Sequence, residues 1–277
     1  MKHILVADDD RILRTFVSRL LKKKKYGVST AADGQAALAH LKKKKFDLVL
    51  LDLWMPKLNG FEVLALIRQQ PRTPRVVVMT SDETPEAMLR AVREQAYRYL
   101  TKPVQPETLL DVVEDALEER PQAPPIEVIS AKPTWVELLV PCDLDCARRI
   151  QLFLDQLKLE LTQEARDRLA QAFRELLTNA VEWGGKLDPN RKVRVAFVRT
   201  PRMLLYRIAD PGPGFKFEGL THAAVGYQGD DPTVHMEERE KKGLRPGGLG
   251  IFMTRELVDD LVYNEAQNEV LFVKYLN

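Results

Sequence analysis

Apolar positions along the chain follow two different rhythms. From residue 4 to about 119, short and continuous apolar runs alternate with stretches of helical period. The runs are Ile4–Ala7, Val28–Ala32, Leu48–Leu51, Val76–Met79 and Tyr97–Leu100. Continuous rather than alternating apolarity predicts strands buried on both faces, which is the condition of a parallel sheet covered by helices. Five such runs predict one doubly wound (βα)5 domain of the α/β class over residues 1–120.

Residues 121–133 break that rhythm. Pro121, Pro124, Pro125 and Pro133 cannot continue a helix, because proline lacks the amide hydrogen and restricts the residue before it. The segment is predicted to be a linker. Residues 134–277 then follow another pattern: a strand over 135–140, helices near 145–157 and 163–183, and strands near 191–199 and 203–209. A helix over 249–258 and strands over 260–265 and 269–276 close the chain. This order predicts an α+β two-layer sandwich, a sheet with helices on one face. Residues 211–250 are rich in glycine and charge and are expected to form a functional lid.

Composition adds little until it is localised. The chain holds 42 Lys+Arg against 40 Asp+Glu, so no global field draws it to nucleic acid or to an anionic membrane. Any partner must be selected by a local site. No segment approaches the roughly 18 apolar residues of a membrane span, and the N-terminal stretch lacks a signal-peptide core, so a cytoplasmic location is expected. Cys142 and Cys146 lack the further ligands of a zinc site and are expected to be reduced, ordinary residues. Two lysine runs, 22–25 and 42–45, each sit at a predicted helix C-terminus, where cations offset the helix dipole.

Candidate chemistry gathers at the carboxyl ends of the first five strands, where open α/β sheets place their ligands. Asp8-Asp9-Asp10 follows the first run, Asp52 the third, Thr80-Ser81 the fourth and Lys102-Pro103 the fifth. Clustered carboxylates need a cation, and oxygen ligands favour a hard ion such as Mg2+. With that charge in place, Asp52 can attack a phosphoryl donor to form an acyl phosphate, Lys102 can pair with the phosphoryl oxygens, and Thr80 can donate to another. Asp10 also suits an N-cap. The metal pair is Asp8-Asp9 if the strand ends with the apolar run, or Asp9-Asp10 if it ends one residue later.

These residues, with Leu51-Asp52-Leu53-Trp54-Met55-Pro56, Gly60 and Leu100-Thr101-Lys102-Pro103, resemble the response-regulator receiver family over about residues 1–120. The resemblance implies a flavodoxin-like fold, phosphorylation on Asp52 by an upstream histidine kinase, and Mg2+ held by Asp8, Asp9, Asp52 and the Trp54 main-chain carbonyl. It also implies that Thr80 and Tyr99 act as the switch pair.

In the second domain, Leu169, Ala172, Phe173, Leu176, Leu177, Ala180 and Val181 form one apolar helical stripe. At ~100° per residue, Glu175 and Asn179 lie about 40° apart along its edge. Such a pair can hold a hydrated Mg2+ and position an attacking hydroxyl. Asp210 ends a strand before Pro211-Gly212-Pro213-Gly214 and can accept from an adenine amino group. Gly247-Gly248-Leu249-Gly250 opens a helix, whose free amides suit a phosphate. Arg245 either reaches that phosphate or is an ordinary surface arginine.

The ordered trio resembles the GHKL ATP-binding fold, and Arg174–Gly184 resembles its anti-sigma-factor serine-kinase branch. The resemblance implies ATP as ligand, Asn179 on Mg2+, Asp210 on adenine, Gly212 and Gly214 as nucleotide hinge, Gly248 and Gly250 as phosphate loop, Glu175 activating the acceptor hydroxyl, and a homodimer. Where many relatives carry histidine, this chain has Trp183, which cannot accept a proton or ligate metal. The expected activity is phosphorylation of Ser or Thr on an anti-sigma-factor antagonist. The alternative is nucleotide-dependent sequestration of that antagonist or a sigma factor without turnover. No helix-turn-helix pattern follows the linker, so protein rather than DNA is the expected target.

Overall fold

The computed structural model describes residues 1–69, 73–82, 84–118, 123–132, 134–155, 161–214 and 250–276. The chain forms two compact units, Met1–Gln122 and Ala123–Asn277.

In the first unit the elements are β1 (His3–Ala7), α1 (Arg11–Lys23), β2 (Gly27–Ala31), α2 (Gly34–Lys43), β3 (Leu48–Leu51), α3 (Gly60–Arg68), β4 (Arg75–Thr80), α4 (Pro85–Arg93), β5 (Arg98–Thr101) and α5 (Pro106–Leu117). The strands form a parallel sheet of order β2-β1-β3-β4-β5. Each of the five apolar runs became a strand, within one residue at most ends. Ile4, Leu5, Val6 and all of Leu48–Leu51 are fully buried, as strands covered on both faces require. One layer of the core packs Ile4, Val6, Leu48 and Leu50 against Val17 and Leu21 of α1 and Leu109 and Val113 of α5.

In the second unit β6 (Glu127–Lys132), β7 (Trp135–Pro141), α6 (Leu144–Asp155), α7 (Gln163–Asn179), β8 (Lys192–Arg199), β9 (Met203–Ala209), α8 (Gly250–Leu257), β10 (Asp260–Tyr263) and β11 (Glu269–Tyr275) make an antiparallel sheet of order β10-β11-β9-β8-β7-β6 with helices. Here burial alternates. Leu204, Tyr206 and Ile208 of β9 face inward, and Tyr206 stacks on Phe272 at 4.9 Å and meets Phe173 of α7 at 5.7 Å. The other face carries ion pairs, among them Arg207 Nε to Glu269 Oε1 at 2.7 Å.

Two expectations are corrected. The proline-rich segment 121–133 is not all linker: Glu127–Lys132 pairs with β7 as an edge strand. Its prolines flank the strand, and an edge position exposes one side of its backbone, so periodicity carried no burial signal. The helix expected over 163–183 ends as an α-helix at Asn179 and continues as a π-helical turn over Ala180–Gly184. π-helical turns concentrate at functional sites. Most of the expected lid, residues 215–249 with Arg245 and Gly248, lies outside the described residues; Gly250 opens α8.

Candidate functional site

The first cluster forms where β1, β3, β4 and β5 end. Asp8 is fully buried, Asp52 nearly so, and Asp9 is exposed; their carboxylate oxygens lie within 4.8 Å of one another. Lys102 Nζ stands 2.8 Å from Asp8 Oδ2 and 2.9 Å from Asp52 Oδ2, bridging both. Burial raises the Asp8 pKa above the ordinary carboxylate range despite the pull of Lys102. Burial pulls Lys102 down, yet its two carboxylate partners prevail and its ammonium is stabilised. Asp10 is the N-cap of α1, accepting from Ile12 N at 2.7 Å and Leu13 N at 3.2 Å. Of the three aspartates, Asp8 and Asp9 gather with Asp52 while the third is engaged by the helix.

The donor set suits a hard cation. All three ligand groups are carboxylates, and Asp8 Oδ2 is buried and, apart from its ion contact with Lys102, makes no hydrogen bond of good geometry. Gly60 must be glycine here: a Cβ would stand 2.1 Å from the Asp52 carbonyl oxygen. Thr80 is buried, and its Oγ1 accepts from Asp82 N at 3.2 Å. Tyr99 is buried with its hydroxyl donating to the Asp82 carbonyl. Asp82 also accepts the Trp54 indole N–H at 3.1 Å. Sequence reasoning passed over Asp82, which is hydrogen-bonded to both Thr80 and Tyr99; its place two positions after Thr80 carried no chemical signal by itself.

The second cluster centres on Asp210, at the end of β9. Its Oδ1 accepts from Gly212 N at 2.7 Å, and its other oxygen takes no hydrogen bond among the described residues. Burial raises its pKa, opposed by the Gly212 amide and by Arg191. The π-helical turn delivers Gly184 against this carboxylate, so closely that a Cβ would lie 2.1 Å from it. Gly214 has φ +82° and abuts the Ala266 carbonyl, a position that a side chain would fill. Arg191 donates to the Pro211 carbonyl, and Asn268 Nδ2 donates to the Gly212 carbonyl at 3.0 Å. Gly184, Arg191 and Asn268 had no sequence signal beyond the place of Gly184 at the end of the helical motif.

Asn179 ends α7, five residues before Gly184. Glu175, one turn earlier, is half-buried, has no hydrogen bond or ion pair among the described residues, and lines a cleft of about 490 Å3 with Arg166, Arg174 and Tyr206. Trp183 is 46 % exposed. The glycine cradle with the available Asp210 oxygen suits a flat base, and the carboxamide-carboxylate edge of α7 suits a hydrated cation. Cys142 and Cys146 are free and buried, and burial pushes their thiols up to about 11 and about 12, so both are inert.

Comparison with known proteins matches residues 4–114 to the response regulator receiver domain and residues 140–274 to the histidine kinase-like ATPase domain. The response regulator ArlR of Staphylococcus aureus is 33 % identical over 128 residues, 46 % of this chain and 58 % of that protein. The chain therefore spans less than two thirds of the curated relatives it matches. Among solved structures, the chemotaxis response regulator CheY4 of Vibrio cholerae is 35 % identical, covering 42 % of this chain and 99 % of that one with a TM-score of 0.41. The response regulator TrrA of Thermotoga maritima, solved in complex with Mg(2+)-BeF, is 30 % identical over 42 % of this chain and 100 % of that one, with a TM-score of 0.39.

Proposed function

The chain is a response regulator receiver domain joined to a histidine kinase-like ATPase domain, and from that premise we propose that phosphorylation of Asp52 governs an ATP-dependent protein serine/threonine kinase. Lys102, bridging Asp8 and Asp52, is the observation that carries the receiver half. A lysine held on two carboxylates is placed to follow the new charge when Asp52 acquires a phosphoryl group. Asp8, Asp9, Asp52 and the Trp54 carbonyl would hold Mg2+, which offsets the charge of the incoming phosphoryl oxygens. Thr80 donates to the phosphoryl group, and Asp82, tied by backbone to both Thr80 and Tyr99, transmits the change.

In the second unit Asn179 would hold the nucleotide's Mg2+, Asp210 the adenine amino group, and Gly212 and Gly214 the turn beside it. Gly248 and Gly250 are assigned to the phosphates by motif, and Arg245, just before them in the chain, by the paired hydrogen bonds its guanidinium can give. Glu175 supports transfer to a protein hydroxyl: an unpartnered carboxylate facing an open cleft can take the acceptor's proton. The proposed acceptor is Ser or Thr of an anti-sigma-factor antagonist, the phosphodonor to Asp52 is a histidine kinase, the working form is a homodimer, and the compartment is the cytoplasm.

A second reading, nucleotide-dependent sequestration of the antagonist or a sigma factor, draws on Trp183, an exposed aromatic of the kind that anchors protein interfaces. Full-length protein mixed with Mg2+, γ-labelled ATP and candidate antagonists separates the two, with Asp52 phosphorylated or not. Label on an antagonist serine or threonine, lost in Glu175→Ala, supports the kinase; tight nucleotide-dependent association without label supports sequestration.

A further inference from the structure

Two lysine runs distant in sequence become one surface in the first unit. Gly27 N donates to the Lys2 carbonyl and Asp47 N donates to the His3 carbonyl, so the chain enters β2 and β3 on either side of the start of β1. Those flanking strands are about 10 Å apart. Lys22–Lys25 lead into β2 and Lys42–Lys45 lead into β3, and all eight side chains are exposed. With Lys2 the rim holds nine lysines, against which stand Asp47, 3.7 Å from Lys2, and Glu114, 3.2 Å from Lys24.

The fold gains little from this concentration. Compensating a helix dipole takes one or two cations in the last turn. Lys24, Lys25, Lys44 and Lys45 lie beyond the ends of α1 and α2, and Lys22, Lys23, Lys25, Lys42, Lys43 and Lys45 make no ion pair among the described residues. Like charges this dense repel one another. The rest of the chain is acidic, since 42 less 9 leaves 33 basic residues while 40 less 2 leaves 38 acidic ones. Net attraction for an anionic surface is therefore concentrated on the rim.

We propose that this lysine rim, at the opposite strand ends from Asp52, docks the protein on an anionic lipid surface. Lysine supplies flexible point charges without the guanidinium fork that reads phosphates and bases bidentately. Two helix C-termini reach the rim, so no recognition helix is laid out for a groove. Phe46 is buried and lies under Lys44, and Tyr26 is half-buried, so no aromatic platform is offered to bases. What remains is a strand-end rim studded with exposed ammonium groups, suited to a flat lattice of negative headgroups. The inference does not depend on the phosphoryl chemistry proposed above.

The test is cosedimentation of the full chain with phosphatidylcholine vesicles with and without about 30 mol % phosphatidylglycerol, at about 0.15 M salt. Binding is expected to the anionic vesicles alone. Replacing Lys22–Lys25 by Gln, or Lys42–Lys45 by Gln, is expected to weaken it at least about tenfold each, while replacing Lys132, Lys186 and Arg202 by Gln leaves it intact. Circular dichroism and thermal unfolding check that the rim variants fold. Should either set of four fail to fold, K22Q/K23Q and K42Q/K43Q are expected to weaken binding at least about threefold each. Wild-type protein that ignores anionic vesicles, rim variants that bind as the wild type does, or tighter retention on duplex DNA than on vesicles overturns the proposal.

Discussion

Asp52 and Asp210 occupy the same kind of position, the residue after a buried strand, yet the molecule treats them oppositely. Around Asp52 the sheet gathers two more carboxylates and a lysine, so charge is concentrated and partly compensated. Around Asp210 it gathers glycines, one amide and the more distant charge of Arg191, and burial pulls the carboxyl toward neutrality. The first setting suits an anion that will bear more negative charge; the second suits an acceptor for a neutral base. A strand-end aspartate is therefore defined by what the neighbouring strand ends bring, not by its own location.

The sharpest way to break this contrast is Asp52→Asn. It should abolish phosphoryl incorporation from a small phosphodonor, read by mass, while nucleotide affinity stays within about twofold, because an amide cannot attack phosphorus. Asp210→Asn should do the reverse. Nucleotide affinity, read by titration with a fluorescent ATP analogue, should fall about tenfold to a hundredfold, the worth of a buried hydrogen bond to a charged acceptor. Asp52 phosphorylation should be unaffected.

Gly184→Ala should lower the stability of the second unit by about 2 kcal/mol in denaturant unfolding, since its Cβ meets the Asp210 carboxylate at 2.1 Å. It should weaken nucleotide binding too, whereas the same substitution at the surface residue Lys186 should not.

Asp8→Asn sharpens the electrostatic half. Its pKa is raised in the folded state, so the folded protein holds that proton more tightly than the unfolded chain. Stability therefore falls as pH rises from about 4 through the raised value. The variant should flatten that part of the pH profile and raise metal-free stability near neutrality, while losing Mg2+ binding in fluorescence titration. Glu269 shows the opposite sign and the smallest effect. Arg207 holds its carboxyl below the ordinary range, so its contribution is present above about pH 4.5 and lost on acidification. Arg207→Met should cost about 0.5 kcal/mol at neutral pH, because the pair is partly exposed.

Legibility followed burial. β1 and β3, enclosed on both faces, announced themselves as unbroken apolar runs, and with them the strand ends that carry Asp8, Asp52, Thr80 and Lys102. β6 was hidden because an edge strand between prolines has no buried face to enforce alternation. The π-helical turn was hidden as well: Ala180–Gly184 keeps the apolar spacing of the helix before it, and only the approach of Gly184 to Asp210 gives the turn a purpose.

The sequence by itself determined that there are two domains of different class, which residues end the parallel strands, and that one helix carries a carboxylate and a carboxamide along its edge. These are local properties of period and spacing. Only the tertiary structure decided which aspartate caps α1, that Lys102 spans two carboxylates, that Gly184 and Gly212 wall in Asp210, and that two separate lysine runs share one rim. Each of those depends on strand order and through-space distance, and electrostatic energy is set by separation in space rather than along the chain.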